Sequence, residues 1–479
     1  MSFVSTEFVL FFVAVCALYV RLPHRWQNRM LLLASYIFYG WWDWRFLSLI
    51  LLSSLVDFAV GRVVDPEGPS PPSERARRWA LAASVGTNLG MLGVFKYLGF
   101  FVESAQAMLG DLPLPFGTGS LEVILPVGIS FYTFQTMSYT IDVHRGAMRS
   151  TRRIDDFLLF VAFFPQLVAG PIERAKHLLP QVTRPRDLNP AKAISGLELM
   201  LFGFFKKMVV ADNLALLVDS IFRAKAEAPP DGALVWLGVY AFAVQIYADF
   251  SGYTDIARGA ARVLGFDIRR NFRTPYFATN PSDFWERWHV SLSSWLRDYL
   301  YIPLGGSRRG PWMTLRNLFI TMLLGGLWHG AAWTYVAWGA FHGILLALAH
   351  RFMPRGAARS VAHRVRGGVG FWLKCFAYFQ LTCAGWLLFR AESGAQALAF
   401  ARAAVTDASF AALPGPSLLL LAELALPLLL IDIHRYRTDD PEPWTAWRAP
   451  VRAAFTVALF YAIVLLGTPH AAEFLYFQF

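Results

Sequence analysis

Apolar residues in this chain gather into long runs separated by short polar loops, a pattern that predicts helices rather than alternating strands. A membrane-crossing helix needs about 20 mostly apolar residues. Windows of this kind recur along the chain and predict crossings near 8–20, 30–40, 47–60, 79–101, 123–141, 194–222, 233–250, 315–327, 333–350, 371–389, 417–431 and 453–466. These leave no room for a globular domain outside the bilayer, so 1–479 reads as a single integral domain. The first run lacks a basic leader and a small-residue cleavage site, which predicts a retained helix rather than a signal peptide.

Two segments depart from this rhythm. "FLLFVAFFPQLVAGP" (157–171) is apolar but short, interrupted by Pro165 and Gly170, and basic on both flanks. Positive charge at both ends predicts a re-entrant or interfacial hairpin, whose irregular backbone must be buried in protein or line a cavity. The block 251–310 reads as a long cytoplasmic loop, rich in charge and aromatics. Within it, "NPSDFWERWHVSLSSWLRDYLYIPLGG" predicts one helix capped by Asn280 and ended by Pro303, with Trp285, Trp288, Leu292, Trp295, Leu296 and Tyr299 on one stripe. The segment 392–413 reads as a short Ala-rich outer loop.

Composition fixes the medium. The chain is 56% hydrophobic and 16% charged, against about 25% charged for soluble domains, and its mean hydropathy is +0.41. The net charge of +11 is distributed as the positive-inside rule expects. Most Lys and Arg fall in alternate loops, placing both termini outside, and Lys96, Lys206, Lys207 and Lys374 fall within helices or at their ends. The basic excess therefore sets orientation and argues against nucleic acid. The three cysteines, Cys16, Cys375 and Cys383, lie in apolar runs, without the spacing of a disulfide framework or a zinc site. No metal site is expected.

Few residues carry chemistry. "LLGGLWHGAAWTY" places His329 inside an apolar stretch, where ionisable groups are costly and mark a pathway or reactive site. Gly325, Gly326 and Gly330 leave space for a bulky group beside the imidazole, which can accept a proton near neutral pH. A histidine satisfied by a carbonyl between helices is the structural alternative. His289 falls at the edge of the tryptophan stripe, either as a polar group on a surface helix or pointing into a cavity. His342 reads as structural. Asp249 and Asp255, in "QIYADFSGYTDIARG", either relay protons or anchor basic residues, and the anchoring role is favoured. Phosphate-loop, zinc-protease and serine-hydrolase motifs are absent.

"FFPQLVAGPIERAKHLLPQ", "QIYADFSGYTDIARG", "NFRTPYFATNPSDFWERWHVSLSSWLRDYLYIPLGG" and "LLGGLWHGAAWTYVAWGAFHG" resemble the membrane-bound O-acyltransferase (MBOAT) family. They are most similar to its bacterial branch of alginate and peptidoglycan O-acetyltransferases. The resemblance runs over nearly the whole chain, including the terminal "FLYFQF". It implies an all-α polytopic fold, a ring of about 12 transmembrane helices plus re-entrant helices around a central catalytic funnel. The N-terminal helices would occupy 1–150, the catalytic core 151–350, the C-terminal helices 351–473 and an aromatic tail 474–479. His329 matches the family histidine and His289 the second histidine of this branch, with Trp285, Trp288, Trp328 and Asp249 lining the funnel on the donor side.

The implied reaction takes an acetyl group from acetyl-CoA, a substrate rather than a bound cofactor, at the bacterial inner membrane. An SGNH-type periplasmic partner with a Ser-His-Asp site would place it on a polysaccharide. Tyr476 is a possible acyl carrier, the alternative being an aromatic anchor. Two other functions compete: a proton-coupled transporter using Asp249, Asp255 and His329, and a non-catalytic scaffold.

Overall fold

A computed structural model of the protein describes residues 1–109, 124–168, 170–353, 368–407, 414–468 and 474–475. Among the described residues the regular structure is helical, with no strand. They form two compact units, one of Met1–Gly196 with Ala257–Arg269 and one of Leu197–Ile256 with Arg270–Phe479.

The first unit contains α1 (Thr6–Tyr19), α2 (His24–Asp43), α3 (Leu47–Val64), α4 (Glu74–Leu92), α5 (Leu98–Leu109), α6 (Ile129–His144), α7 (Ile154–Ala162), α8 (Phe164–Leu167), α9 (Ala175–Thr183) and the start of α10 (Pro190–Phe204). A π-helical turn at Gly93–Tyr97 joins α4 to α5, within the predicted run 79–101. A buried polar seam ties α3, α4 and α6. Ser84 and Asn88 donate to the Asp57 carboxylate at 2.5 and 2.8 Å, and Ser53 and Thr136 donate to Asn88 at 2.7 and 3.2 Å. Inside a membrane protein such side chains need internal partners because no water supplies them.

The interruption expected at 157–171 is present. At 9 residues, α7 covers about 14 Å at 1.5 Å per residue, too short to cross a hydrocarbon layer. Phe163, extended at ψ 108°, separates it from α8. The freed backbone finds side-chain partners: Gln135 and Gln166 donate to the Phe160 carbonyl at 2.6 and 2.8 Å, and Ser35 Oγ accepts from Phe164 N–H at 3.0 Å. These contacts bury the irregular backbone in protein.

The second unit continues α10 and holds α11 (Asp212–Phe222), α12 (Gly232–Val263), α13 (Pro281–Trp285), α14 (Val290–Leu296), α15 (Pro311–His329), α16 (Trp333–Phe352), α17 (Val369–Arg390), α18 (Gly394–Thr406), α19 (Gly415–Thr438) and α20 (Ala449–Leu466). Of α12, only the part up to Ile256 belongs to this unit. Three expectations are corrected here. First, α12 runs thirteen residues past its predicted end to Val263, because Ser251, Thr254 and Asp255 are buried and paired inside the protein rather than hydrated. Second, the predicted outer loop at 392–413 contains α18, which starts where Ser393 Oγ accepts from Gln396 N–H at 3.1 Å. Third, the helix predicted from Asn280 is broken in the middle.

Five helical stretches among the described residues are long and apolar enough to cross a membrane: His24–Val64, Glu74–Leu109, Gly232–Val263, Gly415–Thr438 and Ala449–Leu466. Their surroundings differ. The apolar window of Gly232–Val263 is 78% buried within the protein, whereas that of Ala449–Leu466 is 6% buried. An apolar helix left so open needs a lipid environment. The protein is therefore membrane-embedded.

The re-entrant reading yields a labelling prediction. Lys176, exposed at the start of α9, should lie on the cytoplasmic side with its basic neighbours. In a Lys176→Cys variant an impermeant thiol reagent should react only after the inner face is opened. Reaction in sealed cells would mean that the segment crosses.

Candidate active site

The expected continuous helix around His289 does not form. α13 ends at Trp285, and His289 has φ 41° and ψ 55°, in the left-handed region, immediately before α14. A non-glycine residue there costs on the order of 1–3 kcal/mol and persists only where its surroundings over-determine it. They do so from both sides. Trp288 N–H donates to the Phe284 carbonyl at 2.7 Å, Val290 N–H to the Asn271 carbonyl at 2.9 Å, and Ser293 N–H to the His289 carbonyl at 2.9 Å. The Asn271 side chain accepts from Ser291 Oγ at 2.6 Å and donates to Thr254 Oγ1 at 3.3 Å. Arg287, paired with Asp283 at 2.6 Å, donates to the Arg273 carbonyl at 3.2 Å. The clasp turns His289 inward until it is fully buried. Its reading as an interfacial group on a surface helix is overturned.

His329 closes α15 at 3% exposure. The structure brings the two histidines together, with ring centroids 6.2 Å apart. Trp328 bridges them, 5.7 Å from His289 and 5.1 Å from His329. Phe250 of α12 stands edge-on to His289 at 4.7 Å. Trp338 and Phe389 flank His329 at 5.0 and 5.6 Å.

Trp285 and Trp288 are set further back. Trp285 packs on Trp338 and His342 at 5.7 and 5.2 Å, and Trp288 packs on Trp386 and Phe272 at 4.8 and 5.0 Å. His342 lies among Phe284, Trp285 and Trp338 with no hydrogen-bond partner among the described residues. Tyr476 falls outside the described residues.

The space expected beside His329 is used for packing. A Cβ on Gly326 would overlap the Tyr335 carbonyl and lie 2.9 Å from Gly339 Cα, so this glycine lets α15 and α16 meet backbone to backbone. One on Gly330 would collide with the Tyr335 ring, and one on Gly325 would meet Leu296 at 3.2 Å. These glycines serve close packing and leave no room for a substrate at their own Cβ positions.

Asp249 and Asp255 anchor two lysines. Lys207 Nζ lies 2.7 Å from Asp212 and 2.8 Å from Asp249, and Lys206 Nζ lies 2.6 Å from Asp255. All five residues are buried. Carboxylates six residues apart on an α-helix diverge by about 120°, and the adjacent lysines also point apart, so two separate pairs form. A π-helical stretch at Phe205–Ala211 carries the lysines. Arg435 of α19 joins Asp255 at 3.8 Å and Asp432 at 3.4 Å, while Tyr247 donates to Asp432 at 2.7 Å. Sequence reading missed the partners. Adjacent lysines inside "FGFFKKMVVAD" were the available signal, since charges at such depth require counter-charges. Among the described residues no group of three metal-ligating side chains occurs.

A helical chain with open apolar spans and two buried histidines enclosed by aromatic rings defines a membrane protein with a histidine pair in its interior. Comparison with known proteins specifies the class. The model of the membrane-bound O-acyltransferase family matches residues 147–387. The chain is 38% identical to a probable alginate O-acetylase of Pseudomonas putida over the full length of both. It is 42% identical to the corresponding Pseudomonas aeruginosa protein, covering 82% of this chain and 72% of that one. It is 34% identical to a peptidoglycan O-acetyltransferase of Helicobacter pylori, covering 77% of this chain and 72% of that one. The chain belongs to the membrane-bound O-acyltransferase family and is an acyltransferase. That activity displaces the transporter and scaffold readings.

Removing one member of a buried ion pair strands the other and costs about 3–5 kcal/mol. Lys207→Met should therefore sharply lower the thermal midpoint in detergent, because it leaves both Asp212 and Asp249 unpaired. Thr406→Val, an exposed change on α18, serves as the control. Equal midpoints for the two variants would contradict the ion-pair assignment.

Proposed function

We propose that the protein takes an acetyl group from cytoplasmic acetyl-CoA across the bacterial inner membrane for O-acetylation of an extracytoplasmic polysaccharide, an alginate-like exopolysaccharide or a cell-wall glycan. The observation that carries this reading is the histidine pair, 6.2 Å apart inside an aromatic enclosure, in a chain of an O-acyltransferase family. Relatives named as alginate O-acetylase and peptidoglycan O-acetyltransferase support the acetyl group and the glycan acceptor.

At the centroid separation of the two rings, one small reacting group can touch both. An oxygen nucleophile attacks the thioester carbonyl while His329 takes its proton as general base. The C–O bond forms, the C–S bond breaks, and the imidazolium returns its proton to the departing thiolate. His289, fixed by its backbone clasp, polarises the carbonyl or shares the proton. The aromatic walls exclude water that would otherwise hydrolyse the thioester.

The access route in this reading is a funnel within a ring of about twelve crossings, with Trp328 and the groups behind it lining the donor side. Tyr476 is the first acceptor: its phenol, with an ordinary pKa near 10, is the easiest hydroxyl for a histidine base to deprotonate. Its acetyl ester is more reactive than a sugar or serine ester, so onward transfer to a periplasmic SGNH-type partner runs downhill. No bound cofactor takes part.

General-base removal costs about 10²–10⁴-fold in rate. His329→Ala should abolish polymer acetylation while the protein still inserts and assembles, and His289→Ala should cause a comparable loss. Wild-type acetylation by His329→Ala would sink the assignment. Tyr476→Phe, which removes only the hydroxyl, should block transfer to the polymer with assembly intact. Polymer acetylated normally by that variant would reduce the tail to an anchor.

A further inference from the structure

The segment Phe474–Leu475 is buried against α12, and its contacts connect the ion-pair cluster to His289. Leu475 N–H donates to Asp249 Oδ2 at 3.0 Å. The other oxygen of that carboxylate is held by Lys207 at 2.8 Å. The Phe474 ring is fully buried, 4.2 Å from Tyr253 and 5.8 Å from Phe250. Phe250 in turn stands 4.7 Å from the His289 ring. Asp249, Phe250 and Tyr253 share one stretch of α12, so a single helix surface grips both backbone and side chain.

We infer that Asp249, with Lys207, is the dock for the Phe474–Leu475 segment, and that docking of Phe474 against Phe250 positions the His289 ring for acyl transfer. The lysine makes the carboxylate affordable in an apolar interior. It leaves one oxygen free to receive the amide, and a charge-assisted bond of this kind is roughly twice as strong as a neutral one. The Phe474 ring packs on Phe250 at 5.8 Å, and Phe250 in turn stands against the imidazole at 4.7 Å, so the phenylalanine restricts how Phe250 can move. Asp249 and Phe474 are positioning residues: Asp249 holds the segment, and Phe474 acts through Phe250 on His289. The catalytic consequence rests on the proposed acetyl transfer, whereas the dock itself is a matter of structure.

The experiment therefore has two independent readouts on the full chain in lipid nanodiscs. Hydrogen exchange at the Leu475 amide reports docking. Asp249→Asn keeps near-identical shape and leaves Asp212 as counter-ion to Lys207, yet weakens the bond to Leu475, so exchange should be about tenfold faster. Phe474→Ala leaves every charge in place and should also speed it. Turnover of acetyl-CoA reports positioning. A small misplacement of a catalytic group costs up to about 10²-fold, so Phe474→Ala should lower kcat at least about tenfold while KM for acetyl-CoA stays within about threefold. Phe474→Leu, which restores apolar bulk, should recover part of kcat.

Unchanged Leu475 exchange in both Asp249→Asn and Phe474→Ala would overturn the dock. Faster exchange with unaltered kcat, or a change confined to KM, would overturn the positioning of His289. No acetyl-CoA cleavage by the wild-type chain would instead sink the proposed reaction, and the exchange readout would still decide the dock.

Discussion

The structure depends on one constraint: within a membrane, polar and charged groups must find their partners inside the protein. Lys207 shows the constraint at its most demanding. Its ammonium is buried and held between Asp212 and Asp249 at 2.7 and 2.8 Å. Removing these three charges from water costs several kcal/mol each, offset only by close opposite charge and hydrogen bonding. That requirement fixes α12 against the π-helical stretch that carries the lysines. Fixing α12 places Phe250 beside His289 and leaves one Asp249 oxygen to hold Leu475. The same rule governs the first unit, where Gln135, Gln166 and Ser35 satisfy the broken backbone between α7 and α8.

The histidine pair follows from two different devices. His329 arrives at the end of a regular helix whose neighbour comes close enough through Gly326 and Gly339. His289 arrives through a strained left-handed residue locked by Asn271, Ser291 and Thr254. A helix end can aim a side chain along its axis, and a broken helix can turn one away from its stripe. Together they set two imidazoles 6.2 Å apart among Trp328, Trp338, Phe250 and Phe389. Aromatic rings suit such an enclosure because they exclude water without offering competing acids or bases.

The polar residues of 251–263 illustrate how a membrane medium changes the meaning of polarity. In a soluble chain Ser, Thr and Asp in such density suggest a loop or a hydrated face. Here they continue α12 through its buried partners, with Ser251 and Asp255 on Lys206 and Thr254 on Asn271. The exposed faces are instead the apolar ones, as α20 shows with its outward Val457, Phe460, Tyr461, Val464 and Leu465. Burial in this protein separates polar from lipid more than apolar from water.

Sequence alone determined the medium, the helical class, an interruption within 157–171 (assigned to Pro165 and Gly170, whereas the chain breaks at Phe163 and Pro165 sits in the first turn of α8) and the identity of His329 as the unusual residue. Each is local: run length, charge flanking and the rarity of a histidine in an apolar run need no knowledge of distant residues. It did not determine that the helix after Asn280 breaks at His289. The wheel of Trp285, Trp288, Leu292 and Trp295 fits a continuous stripe, and the competing bonds to Asn271 come from a separate loop. Nor did it show which carboxylates meet Lys206 and Lys207, what fills the space beside Gly326 and Gly330, or that Leu475 reaches Asp249. Those contacts join residues as far as 226 positions apart. Only the tertiary structure decides them, because pairing at such separation depends on how whole helices pack and leaves no periodic trace along the chain.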